Sequence, residues 1–135
     1  KCAQKHSNRK TRGKGFTLAE LLIVVAIIAV LVAISIPIFT SQLHKARVAT
    51  DWANLRAYYA EIQADFISTG EYNKKVPYEG NPNSTEYFPK EITFLNGQKV
   101  KMQEGFFWVR PIAGKGYTIA YDCNNRHPKC ELILE

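Results

Sequence analysis

One carboxylate stands where carboxylates are costly. Glu20 is the only strongly polar side chain between Phe16 and Phe39, and from Leu21 to Ile34 there is no polar residue at all. A charge at the centre of a membrane-spanning helix costs about 2.5 to 3.5 kcal/mol on insertion scales, and less near an end that reaches the headgroups. An acid in that setting needs a partner, so the chemistry it offers is pairing with a cation. Cys123 and Cys130 are the other reactive pair, and the segment between them is short enough to close a small loop. Such a bridge is worth about 2 to 3 kcal/mol and needs an oxidising compartment; two reduced thiols are the alternative. His6, His44 and His127 occur singly, without the close spacing of a zinc site, and read as solvated surface histidines. Gly13-Lys14-Gly15 and Gly114-Lys115-Gly116 are too short to cradle a nucleotide, and the chain contains no phosphate loop, no nucleophile elbow and no paired-cysteine metal motif. Nothing in this inventory points to catalysis, a metal or another cofactor.

The elements that must carry these residues follow from periodicity. The 24 residues from Phe16 to Phe39 make a helix of about 36 Å, enough to cross a hydrocarbon core of about 30 Å. That is longer than the apolar core of a secretory signal, and no small-residue cleavage site follows it. Pro37 removes a backbone donor inside this helix, which predicts a kink there or local melting between Ala33 and Pro37. Beyond it the pattern becomes one-sided: Val48, Trp52, Leu55, Tyr59, Ile62 and Phe66 recur at intervals of four and three. Lys45, Arg47, Asp51, Arg56, Glu61 and Asp65 fall largely off that stripe, and Ser68-Thr69-Gly70 ends the helix. Residues 70 to 91 read as a connecting loop. Asn83-Ser84-Thr85 within it matches a glycosylation sequon, a pattern common by chance. Asn96-Gly97 predicts a two-residue turn between Ile92–Leu95 and Gln98–Met102, and Gly114–Gly116 a second hairpin joining Phe106–Ile112 to Tyr117–Cys123. A short strand at Glu131–Leu134 completes the expectation: an α+β fold, with a long N-terminal helix packed on an antiparallel sheet of about four strands. Phe106-Phe107-Trp108 is the densest aromatic cluster, and its members are expected in the core.

Charge is as uneven as hydropathy. The 135 residues carry a formal net charge of +6, from 18 basic and 12 acidic side chains. Lys1, Lys5, Arg9, Lys10, Arg12 and Lys14 supply six of those bases before any acid occurs, so the remainder is balanced. This weakens a reading as a generally basic binding protein. By the positive-inside rule the basic head stays in the cytoplasm and everything after Phe39 crosses. That orientation places Cys123 and Cys130 where a disulfide persists. The chain opens on Lys1 rather than Met, consistent with a native start further upstream.

The segment Lys14 to Leu22, KGFTLAELL, resembles the processing site of type IV prepilins and of the related pseudopilins of type II secretion and competence systems. The likeness is good from Gly15 to about Tyr59, and beyond that only the architecture matches. It implies cleavage after Gly15 by a prepilin peptidase, N-methylation of Phe16, and a role for Glu20 in assembly. In filaments of this kind, the glutamate of one subunit faces the Phe16 amine of a neighbour as the apolar helices bundle. A pair within one chain is equally compatible with the sequence. The likeness further implies a proline at position 37 that lets the helix lose order on packing, against which a simple bend is the plainer reading.

The expected organisation is thus a leader at 1–15, an apolar membrane and filament-core helix at 16–39, its amphipathic continuation at 40–68, and a globular head at 69–135. Removal of the leader also discards Cys2 and leaves an even pair of cysteines. The Cys123 to Cys130 loop resembles the disulfide-bounded region that many pilins expose, which favours a pilin of a surface filament over a pseudopilin. The implied partners are other copies of the chain, the peptidase, an assembly platform with minor pilins, and the membrane. Lys99, Lys101, Arg126 and Lys129 offer a weak anion-binding patch should the fibre carry DNA, or a host surface be gripped; a solvated face is the plainer reading. The precursor is expected in the cytoplasmic membrane and the mature form in an extracellular filament. A membrane-anchored binding module that never polymerises is the rival from another class.

Overall fold

The computed structural model describes residues 15–124 and 129–135. The expectations for Cys2, His6, Arg126, His127 and nearly all of the leader lie outside them. Helix α1 spans Leu18–Thr69, followed by strands β1 (Glu91–Thr93), β2 (Lys99–Lys101), β3 (Gly105–Ile112), β4 (Gly116–Cys123) and β5 (Leu132–Leu134). The chain divides into two compact units, Lys1–Phe39 and Thr40–Glu135.

In the described part of the first unit, α1 is a single uncovered helix. Every residue from Gly15 to Phe39 is exposed, among them the large apolar side chains of Leu22, Val25, Leu31, Ile36 and Phe39. The helix continues through Pro37. The ring leaves the Ala33 carbonyl without the amide donor that would face it one turn on, and just before it the Ser35 hydroxyl donates to the Leu31 carbonyl at 2.7 Å.

The second unit has a conventional core. β1 and β2 form a two-stranded antiparallel ribbon with Ile92 opposite Val100. β3, β4 and β5 form a separate three-stranded antiparallel sheet with β4 in the middle. Among the described residues the strands are thus five, in two sheets. In β3 and β4 alternate residues are buried, Phe107 and Val109 on one strand and Tyr117, Ile119, Tyr121 and Cys123 on the other, as period-two side-chain alternation requires. They pack with Leu55, Tyr58 and Ile62 of α1, with Val76 of the long loop and with Ile92 of β1. The buried face of α1 runs Val48, Asp51, Leu55, Tyr58, Ile62. It is rotated from the apolar stripe expected of the sequence: Tyr58 takes the centre, Tyr59 and Trp52 are half-buried flanks, and the charged Asp51 lies inside.

Helix side chains also hold the turns. The first hairpin closes over three residues, Leu95 to Gly97, and not two, with Phe94 N–H donating to the Gln98 carbonyl at 2.8 Å. Gly97 takes φ +93°, the left-handed conformation that glycine accepts without steric cost. The extra residue is accounted for by Leu95 N–H, which donates to the Glu61 carboxylate of α1 at 2.7 Å. In the second hairpin Gln63 spans the turn, donating to the Lys115 carbonyl at 2.9 Å and accepting from Tyr117 N–H at 2.9 Å. Gly116 makes this possible, because a side chain there would run into the Gln63 amide.

Phe106 and Trp108 do not join the core. They stack on the opposite face of β3 at 6.0 Å, with the exposed Phe88 edge-on to both.

Candidate functional site

The N-terminal segment begins with Gly15 and Phe16 exposed ahead of the helix. Thr17 is the residue before α1, and Glu20 lies in its first turn. Their contacts are reciprocal. Thr17 N–H donates to Glu20 Oε2 at 3.2 Å, and Glu20 N–H donates to Thr17 Oγ1 at 3.2 Å. This is a capping box, which satisfies two of the donors that a helix start leaves open and sets a carboxylate at the positive end of the helix dipole. The signature, a threonine followed three residues later by a glutamate, is present in the sequence; the pull of the greasy segment hides it, because it draws every reading of Glu20 toward ion pairing. Glu20 therefore has a local role within its own helix. From there to Phe39 the helix presents a continuous uncovered apolar surface, far beyond the few hundred Å² that soluble monomers tolerate. By length and composition it can cross a membrane.

In the head, the side chains cluster around Asp51 and the cysteines. Asp51 is fully buried, and its carboxylate accepts from Gln103 N–H at 2.8 Å, Glu104 N–H at 2.9 Å and the Tyr121 hydroxyl at 2.7 Å. Those contacts meet the condition under which a buried charge is tolerated. Burial, reinforced by the hydrogen bond to Asp51, pushes the Tyr121 phenol far above its ordinary range. Cys123 ends β4, Cys130 precedes β5, and the two form a disulfide with Cα atoms 5.6 Å apart. Trp52 Nε1–H donates to the Cys130 carbonyl at 3.0 Å, tying this bridge to α1.

His44 departs from its expected place on the wet surface. Its Nδ1 lies 3.1 Å from Glu104 Oε2, Arg47 donates to the other Glu104 oxygen at 3.2 Å, and Nε2 sits 3.5 Å from Cys130 Sγ. Sequence separations of 60 and 86 residues hide these contacts from any local reading. Lys99 and Lys101 stand exposed on β2, Lys101 opposite Glu91 in register.

The described residues thus combine a capped apolar helix, its amphipathic continuation packed on antiparallel strands, and a disulfide before the last strand, an α+β class with one helix long and apolar enough to cross a membrane. Residues 10–36 match the family described as the prokaryotic N-terminal methylation motif. The chain is 51% identical over 108 residues to the fimbrial protein EcpB of Eikenella corrodens, covering 69% of this chain and 68% of that one. It is 48% identical over 63 residues to the type IV narrow pilus major component PilA5 of Thermus thermophilus, covering 43% and 54%. It is 40% identical over 62 residues to the type IV major pilin protein PilA of Myxococcus xanthus, covering 46% and 28%. The chain thus spans about half the length of one of these last two and about a quarter of the other. No solved structure matches it. On this sequence evidence the chain belongs to the type IV pilin family, a family of structural subunits.

Proposed function

We propose that this chain is the precursor of a structural subunit of a type IV pilus-like filament. The observation that carries the reading is the uncovered apolar helix, entered through Gly15-Phe16 and carrying Glu20 as its one charged residue up to Phe39. The basic head holds the N-terminus in the cytoplasm, and the apolar helix anchors the precursor in the cytoplasmic membrane. A prepilin peptidase cuts after Gly15 and methylates the new amine of Phe16. That amine has a reference pKa of about 7.7 to 8.0, so it is largely cationic at neutral pH.

Once free, the amine is a partner for a carboxylate, and Glu20 of a neighbouring copy supplies it as the helices bundle in the fibre. Either charge alone in an apolar core would be strongly destabilising, by about 3 to 5 kcal/mol, whereas the matched pair sets the register between copies. Glu20 thus acts twice, first as the helix cap and then as the docking charge. The proline at position 37 leaves a weak point where the helix can bend or lose a turn on packing. The heads remain outside, each with its Cys123 to Cys130 disulfide.

A second reading, a major pseudopilin of a secretion or competence system, is favoured by one comparison. The chain spans 92% of the ComG operon protein 3 homolog of Bacillus licheniformis at 28% identity. Intact mass of the protein from filaments sheared off its host separates these readings. A species beginning at Phe16, with one added methyl and two hydrogens fewer for the disulfide, recovered in long sheared fibres, supports the pilin. The same species confined to the envelope supports the pseudopilin. A species that keeps residues 1 to 15 and stays in membranes overturns both and leaves a plain anchor.

A further inference from the structure

The cysteine pair sits in surroundings that a structural disulfide does not require. One nitrogen, one sulfur from β4 and one from the segment before β5 converge: the donor atoms of His44, Cys123 and Cys130 all lie within 4.8 Å of one another. Tetrahedral zinc, with bonds of about 2.3 Å to sulfur and 2.0 to 2.1 Å to nitrogen, places neighbouring donors about 3.5 to 3.8 Å apart. His44 Nε2 is already 3.5 Å from Cys130 Sγ. The ring is also held as zinc-binding histidines are held. Its Nδ1 faces the Glu104 carboxylate at 3.1 Å, and in the tautomer that donates this hydrogen bond the Nε2 lone pair is turned toward the sulfurs. Arg47 and the Asp51-bound backbone of Glu104 in turn fix that carboxylate. Both cysteines are buried, while the His44 side chain is 27% exposed and offers a way in.

We propose that His44, Cys123 and Cys130 form a zinc(II) site that opens when the disulfide is reduced, with Glu104 as the residue that positions the histidine. A dithiol reductant delivers two electrons and two protons to the disulfide, giving two thiols and leaving itself as a cyclic disulfide. Zinc then displaces the two thiol protons and binds two thiolates and Nε2, with water in the fourth position. A small disulfide oxidant reverses the sequence: it takes two electrons from the thiolates and two protons from water, leaves as two thiols, and the joined sulfurs release the ion. The same loop is closed in either state, by a covalent bond when oxidised and by a metal when reduced, so the segment leading to β5 stays pinned under both conditions.

The test uses the full chain in detergent, with Cys2→Ser so that the only thiols are those of Cys123 and Cys130. The reduced protein is titrated anaerobically with cobalt(II), and the cobalt is displaced with zinc(II) in competition with a chelator. The expected result is one metal per chain, a charge-transfer absorption of two thiolates, tetrahedral ligand-field bands, and a zinc-dependent rise in melting temperature. The oxidised chain should show none of these. His44→Ala should weaken zinc about 100-fold and change the ligand-field bands, and Glu104→Gln should weaken it about 10-fold with the bands retained. Circular dichroism of each variant establishes that it is folded. The proposal is overturned if the reduced chain binds zinc no better than a Cys123→Ser, Cys130→Ser chain. It is equally overturned if a folded His44→Ala chain keeps both affinity and spectrum.

Discussion

Asp51 shows how much can rest on one atom group that hydropathy would place outside. Its carboxylate serves two loop amides and a phenol, and removing it leaves all three short of a partner at about 1 to 3 kcal/mol each where burial is complete. Asp51→Ala is therefore expected to destabilise the head by about 3 kcal/mol or more, read as a loss of the denaturant midpoint of the full chain in detergent. Tyr58 is the opposite case. Its hydroxyl is buried with no hydrogen-bond partner among the described residues, and burial, aided by the Glu61 charge, raises its pKa far above the usual value. Tyr58→Phe is expected to hold or raise stability at neutral pH, by up to about 1 kcal/mol. The sign at alkaline pH follows from linkage. An unfolded tyrosine ionises near pH 10, whereas folded Tyr58 and Tyr121 keep their protons, so above about pH 10 the unfolded state is favoured and stability falls as pH rises. Below that pH neither group contributes a slope. Thermal melts from pH 8 to 11 should show the fall, and it should be shallower in Tyr58→Phe. An equal slope in the two proteins would refute the assignment to Tyr58.

At the scale of elements, the start of α1 and the last strand are fastened by different means. The start of α1 depends on the capping box, so Thr17→Ala should cost the helix start about 1 kcal/mol. Faster amide exchange confined to the first turn, at Leu18 to Leu21, is the measurement that reports it. An exchange change spread along the whole helix would mean that the box does more than cap. The last strand depends on the Cys123 to Cys130 bridge, which closes a loop with a sequence separation of 7. Loop entropy gives about 2.5 kcal/mol for that closure. Reduction in the presence of a chelator should lower the unfolding free energy by that order, with β5 exchanging first; unchanged protection of Leu132 to Leu134 would show that Trp52 and the sheet hold the strand unaided. Both hairpins and the amphipathic face of α1 were legible in alternation and in period 3.6, because each is a local pattern. The burial of Asp51 and Tyr58 in place of Trp52 and Tyr59 was not, since at Asp51 it depends on amides at Gln103 and Glu104 receiving the carboxylate.

For the whole molecule, the proposed function makes assembly the consequence of an uncovered apolar helix, with Glu20 as the docking charge for a cleaved Phe16 amine. Glu20→Ala should leave the precursor inserted and its head folded while abolishing or strongly reducing fibre growth, scored by sheared-filament yield against total protein. Normal fibres from that variant would sink the docking role of Glu20 and leave it only the cap. A Glu20→Gln chain separates the two roles further. Its amide oxygen can still accept from Thr17 N–H, but it carries no charge for the Phe16 amine, so cap-dependent exchange should recover and fibre yield should not.

By itself the sequence determined the uncovered apolar helix, its one acid, the basic head, the places where the chain must turn and the α+β class. All of these are written in neighbouring residues through hydropathy, charge and backbone preference. Only the tertiary structure decided that the strands split into two sheets, that Asp51 lies within the core, that Phe106 and Trp108 face away from it, and that His44 stands half-buried between Glu104 and Cys130. Each of those outcomes joins groups that stand tens of residues apart. Their energies come from hydrogen bonds and burial that do not exist until the chain has folded.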